Sequence, residues 1–201
     1  MKITVNGSPV TVGGEIKTLK SLISTLKKDH IDSQDLITKI VIDEKEVDIS
    51  ESNFPLTDSS TIALVSEPPR QLAKTSIENL QTHITQILPS LEKSADKFRT
   101  EGEEEANKYY SDCLGALQLF SELIDGVSKM LDLDYSKIHS KDGRKNDDII
   151  KTQKLFEAMH EAQTQKDWIL LADVIEYELT PVMKNWLDGL PAILAYIQNQ
   201  K

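Results

Sequence analysis

Thr61-Ile62-Ala63-Leu64-Val65-Ser66-Glu67-Pro68-Pro69-Arg70-Gln71-Leu72-Ala73-Lys74-Thr75-Ser76-Ile77-Glu78-Asn79-Leu80 changes its hydrophobic period across one pair of prolines. Before the prolines, Ile62 and Leu64 alternate with Thr61 and Ala63, the period of two of a strand with one buried face. After them, Ile77, Leu80, Ile84, Ile87, Leu91, Ala95 and Phe98 step by three and four, the period of a helix. Proline is tolerated in the first turn of a helix, so the pair suits a helix start. The prolines therefore predict a boundary between residues 1–66, which contain strands, and an α-helical remainder, residues 67–201. The fold class that follows is α+β.

Outward toward the N-terminus, Lys2 to Val5 alternates with Ile3 and Val5 on one face. Asn6-Gly7 tolerates positive φ at both positions and suits a tight hairpin. Val10 and Val12 share a face, which predicts a hairpin of residues 2–5 and 9–12. Gly13-Gly14 ends that pattern. Thr18 is placed to cap a helix carrying Leu19, Leu22, Ile23 and Leu26, with Lys27 and Lys28 in its last turn. Residues 39–43 and 46–49 read as a third and a fourth strand, Pro55 as a loop, and 61–65 as the fifth strand.

This β-β-α-β-β-β order resembles the β-grasp family, in particular its small ubiquitin-like sulfur carriers. The likeness rests on Met1-Lys2-Ile3-Thr4-Val5-Asn6-Gly7, on the helix after the second strand, on Ile40-Val41-Ile42 followed by Glu46-Val47, and on Leu56-Thr57-Asp58 before Ile62-Ala63-Leu64-Val65. It covers about a third of the chain and implies a fold. Sulfur carriers end in a free Gly-Gly whose carboxylate is activated. Here the fifth strand runs on into Ser66-Glu67-Pro68-Pro69, and the sole Gly-Gly is Gly13-Gly14, so the resemblance does not carry over the carrier chemistry.

On the C-terminal side, Ala106, Tyr110, Cys113, Leu117, Phe120, Ile124, Val127 and Leu131 alternate steps of four and three. Two helices of about 30 residues would each be about 45 Å long. Glu101-Gly102-Glu103 breaks the pattern, which predicts a long antiparallel hairpin; one continuous helix through Gly102 is the alternative. Pro89 is expected to interrupt and kink the first of these helices. Residues 133–146 read as a polar loop. Asp147 or Asn146 should cap a third helix with Ile149, Ile150, Leu155 and Met159. Gln163 to Lys166 should turn, and a last helix starts near Asp167. Trp168, Ile169, Leu170, Leu171, Val174, Ile175 and Leu179 are apolar almost all round, which predicts burial on several sides. Pro181 and Pro191 should divide the rest into short pieces. The expected architecture is a β-grasp domain followed by a mostly antiparallel helical bundle.

The 201 residues carry 23 Lys plus Arg against 33 Asp plus Glu, a formal charge of -10. Residues 1–66 hold 7 basic and 10 acidic side chains and the remainder 16 and 23, so neither part is a hidden cationic module. This argues against nucleic acid and anionic lipid as partners. One cysteine, Cys113, can form no internal disulfide, and the N-terminus lacks the apolar core of a secretory signal, which points to a cytoplasmic protein.

The candidate chemistry is thin. Glu157 and His160 have the Glu-x-x-His spacing of di-iron bundles, but such a site needs a second copy, and His30, His83 and His139 have no Glu three residues earlier. Asp132, Asp134 and Ser136 begin like a calcium loop, but Lys137 and Gly143 stand where Gly and Glu are required. Lys141-Asp142-Gly143-Arg144-Lys145-Asn146 is a small basic run. Cys113 lies on a core step, where thiols are inert. Asp173, Glu176 and Glu178 offer carboxylates, Glu176 being paired, for example, with Lys166 or Lys184. Glu101 to Glu105 reads as the acidic start of a helix. Trp168, Trp186 and Tyr177 read as packing residues. No phosphate-binding glycine loop or nucleophile elbow is present. No cofactor or metal is expected.

These readings favour a non-enzymatic interaction module, an adaptor, chaperone or regulator, with a protein partner or a second copy of the chain. The alternative is an enzyme or small-ligand binder with a pocket between the C-terminal helices, where Glu176 and His160 would converge. Leu88, Tyr109, Leu119 and Leu123 lie beside the main stripes of the long helices and widen them, so they are the candidate partner-binding residues.

Overall fold

The computed structural model describes residues 1–14, 16–51, 53–101, 103–140 and 143–199, with backbone alone at 139, 140 and 143–146. The chain is α+β and divides into two compact units, Met1–Leu72 and Ala73–Lys201. The division falls one turn inside the helix that Pro68-Pro69 begins.

In the first unit, β1 (Lys2–Val5) and β2 (Ser8–Val10) form a hairpin. Asn6 and Gly7 between them take φ of 51° and 77°, the doubly positive turn that matches strand twist. The Asn6 amide also accepts from Ser66 N–H at 2.8 Å and donates to the Ser66 carbonyl at 3.1 Å. Helix α1 (Leu19–Asp29) starts at Thr18, whose hydroxyl accepts from Ser21 N–H while the Ser21 hydroxyl accepts from Thr18 N–H. This reciprocal cap satisfies two otherwise orphaned donors. Strands β3 (Leu36–Ile42), β4 (Lys45–Glu46) and β5 (Thr61–Glu67) complete a mixed sheet of order β2-β1-β5-β3-β4, with β1 and β5 parallel. Ile3, Val5, Ile40, Ile42, Ile62 and Leu64 fill one face and meet Leu19, Leu22 and Leu26 of α1. Each such burial is worth about 1.5–3 kcal/mol.

Four strands differ from the expectation at their boundaries, among them β5, which runs two residues further, to Glu67. β2 ends at Val10, and the Thr11 carbonyl lies 3.1 Å from His30 Nε2 instead of in a ladder. β3 begins three residues earlier than expected. β4 is two residues long, because Asp48 turns the chain by accepting from Ser50 N–H at 2.7 Å.

The second unit is helical. α2 (Pro69–Thr100) and α3 (Glu103–Leu131) are separate helices. Phe98 meets Tyr110 edge-on at 5.5 Å, Lys93 Nζ lies 4.2 Å over the Tyr109 ring, and His83 to Ser90 face Asp112 to Ala116. The later part of α2, at Phe98, meets the earlier part of α3, at Tyr110, and the earlier part, His83 to Ser90, meets the later Asp112 to Ala116, so the two helices run antiparallel and are not one continuous helix. α2 passes through Pro89 without a break. The lost hydrogen bond and ring clash cost about 3 kcal/mol, while Ile84, Ile87, Leu88 and Leu91 on either side are all buried in one core.

Residues 133–138 are not a polar loop. Leu133, Tyr135 and Ile138 are buried, and Tyr135–Lys137 is a 3₁₀ turn started by the Asp134 carboxylate. A short hairpin, β6 (His139–Ser140) and β7 (Gly143–Arg144), leads to α4 (Lys145–Thr164). The α4 end is a Schellman motif: Lys166 has φ of 56°, its N–H reaches the Gln163 carbonyl, and Asp167 N–H reaches that of Ala162. α5 (Trp168–Asp173), capped by Asp167, passes into a π-helix (Val174–Leu179) and then α6 (Thr180–Asn199). Thr180 N–H bonds the Ile175 carbonyl, five residues back. Pro181 lies in the first turn of α6, and Pro191 lies inside it without dividing it. Leu190, Ile193 and Ile197 stay buried across that proline.

Candidate functional site

α3 and α4 leave an apolar groove between them. At one end Tyr110, Leu114 and Leu117 of α3 face Phe156, Met159, His160 and Gln163 of α4 around about 430 Å³. At Ser121 and Phe156 this space adjoins a smaller cavity of about 140 Å³, lined by Phe120, Ile124, Ile149, Thr152, Tyr135 and Trp186. From Tyr110 to Ser128 the groove follows α3 for roughly 27 Å at 1.5 Å per residue. Gln118, Asp125, Gln153, His160 and Gln163 supply polar groups along it.

A fixed hydrogen-bonded frame holds the floor. Trp186 Nε1 donates to Thr152 Oγ1 at 3.0 Å, and that hydroxyl donates to the Asp148 carbonyl at 2.7 Å. Asn185 Nδ2 donates to Asp148 Oδ1 at 2.9 Å. Tyr135 OH donates to the Ile124 carbonyl at 2.9 Å, and burial pushes its pKa upward. Trp186 packs edge-on against Phe120 at 5.2 Å. The buried Trp186 indole and Tyr135 phenol thus have their donors satisfied.

The candidate partner-binding residues part company. Leu88 is 9% exposed and belongs to the core, because it lies on the α2 surface that the other helices cover. Leu123 is half-buried and packs on the same core. Tyr109 is half-buried under Lys93. Leu119 is exposed, but it does not line the groove. Leu114, which lies just outside the α3 stripe, is exposed within the groove.

Cys113 is fully buried, and desolvation, with Asp112 adding to it, pushes its thiol up to about 11. Burial likewise pushes the Tyr110 phenol up to about 12. Glu157 and His160 are exposed, and among the described residues no three His, Cys, Asp or Glu side chains converge on a metal position. The side chains of the basic run 141–146 lie outside the described residues. Glu176 and His160 do not converge: His160 borders the α3–α4 groove, while Glu176 pairs with Arg99.

That pairing corrects the expected partners of Glu176. Arg99 at the end of α2 reaches both Asp173 (2.7 Å) and Glu176, and these two hydrogen bonds, Asp173 first, raise its already high pKa further. Lys184 instead meets Glu92 at 2.9 Å. Trp168 stacks on Phe98 at 5.5 Å with nearly parallel rings. Ile169, Leu170 and Tyr177, expected in the interior or in packing, are 56%, 45% and 65% exposed. α5 and the π-helix bury one side through Leu171, Ala172, Val174, Ile175 and Leu179 and turn the other outward. No helix among the described residues is long and apolar enough to cross a membrane.

Fold and groove together define an α+β protein whose helical unit carries an open apolar cleft. A family described as a domain of unknown function, DUF8042, matches residues 75–189, more than half of the chain, and the chain belongs to that family. The matched segment contains both helices of the groove. No curated protein and no solved structure matches the chain.

Proposed function

We propose that the chain is a non-enzymatic protein-recognition module, an adaptor, chaperone or regulator. Its groove between α3 and α4 receives an amphipathic helix of a protein partner. The observation that carries this reading is the groove itself. It is roughly 27 Å long, enough for about five turns of helix, with an apolar floor and polar edges. In this reading residues 1–66 are a β-grasp module, the helices of the second unit are a bundle, and the protein works in the cytoplasm. The strand order and the helix between β2 and β3 support the β-grasp assignment. The acidic charge supports a protein partner over nucleic acid.

A small apolar ligand is the second reading, favoured by the smaller apolar cavity that Phe156 and Trp186 line. The test is affinity capture from the native cell, with cross-links mapped by mass spectrometry, using the native chain and Leu114→Asp. Leu114 is exposed, so the variant should fold. Partner recovery should fall at least about tenfold, as for a central anchor residue. Cross-links should lie along α3 and α4. Equal recovery by both proteins would remove the groove from the interaction.

A further inference from the structure

Ile169, Asp173 and Tyr177 follow one another at spacings of four and share the outward face of α5 and the π-helix, with Leu170 beside them. Ile169 and Tyr177 are the two most exposed large apolar side chains among the described residues. The segment 167–178 carries four carboxylates, Asp167, Asp173, Glu176 and Glu178, and no basic residue. Arg99 is the one cation that the described contacts place on it. It bridges Asp173 and Glu176 from α2 and lies 5.4 Å from the Tyr177 ring centre. Its two hydrogen bonds tie Asp173 of α5 and Glu176 of the π-helix to the end of α2. Asp167 and Glu178 make no ion pair among the described residues.

We propose that this face is a second docking surface, separate from the α3–α4 groove, and that its occupant is a cationic amphipathic segment of a protein partner. Exposed Ile169, Leu170 and Tyr177, on a segment whose four carboxylates meet one cation, complement a peptide that places Leu, Ile or Phe beside Lys or Arg. A second copy is disfavoured, because like faces would bring carboxylates against carboxylates. Anionic lipid and nucleic acid are disfavoured by the same charge.

The full chain is titrated with a fluorescein-labelled Lys/Leu amphipathic peptide of about 18 residues, long enough for five helical turns. Fluorescence anisotropy should show saturable binding that weakens at least about tenfold as salt rises from about 50 to about 300 mM. Tyr177→Ser and Ile169→Ser should each weaken it about tenfold, and Leu114→Asp should change it less than about twofold. Both positions are exposed, and thermal melts of the two variants should match that of the native chain. Amide shifts of the native chain on titration should cluster at residues 167–178. Four results would overturn the proposal: unchanged affinity in both variants, equal binding of a Glu/Leu peptide of the same pattern, no saturable binding, or loss with Leu114→Asp alone. A dimer of the native chain that Tyr177→Ser dissociates would assign the face to a second copy and overturn it too.

Discussion

Cys113 shows how burial sets chemistry at a single residue. Its thiol sits at 0% exposure between turns carrying Tyr110 and Leu117, and desolvation raises its pKa to about 11. At pH 8 the thiolate fraction is then about one in a thousand, and the sulfur is sterically shielded as well. Iodoacetamide should leave the native chain unmodified at pH 8 over an hour or so and alkylate it fully in strong denaturant. Rapid labelling of the native protein would mean that α3 opens readily. Position on a stripe was legible for Cys113, because a helical step fixes which face a residue shares. Position beside a stripe was not. Leu88 and Leu119 both flank their stripes, yet one is core and the other is exposed. The difference depends on which neighbouring helix lies over each flank, and spacing within one helix does not encode that.

At the scale of elements, caps and turns follow local chemistry closely. Thr18 with Ser21, Asp167 at the start of α5, and Asn6-Gly7 in the first hairpin each satisfy backbone groups within a few residues. The prolines do not act locally. Pro89 and Pro191 sit inside unbroken helices, because apolar residues on both sides are buried together and outweigh one missing hydrogen bond. The Schellman turn after α4 places Lys166 in the left-handed region, at φ of 56°, where a Cβ is unfavourable. Lys166→Gly should therefore stabilise the chain by about 0.5–1 kcal/mol, raising its denaturation midpoint in urea without changing the slope. A lower midpoint would mean that the Lys166 side chain contributes more than its backbone strain costs.

The described residues form two separate hydrophobic cores, one built on the mixed sheet and α1 and the other on the helices of the second unit. A fragment of residues 1–72 contains the whole first core and should melt cooperatively by circular dichroism. A coil spectrum with no transition would mean that the sheet depends on the helical unit. The α+β class and the change of grammar at Pro68-Pro69 were determined by the sequence alone, since strand and helix periods are local properties of the chain. So were the buried stripes of α2 and α3. Tertiary structure alone decided that Arg99 meets Asp173 and Glu176, 74 and 77 residues away, and that α3 and α4 stand apart enough to leave a groove. It also turned Ile169 and Tyr177 outward from a segment whose composition reads as interior. Periodicity says which residues share a face, but only the packing of distant helices determines whether that face is covered.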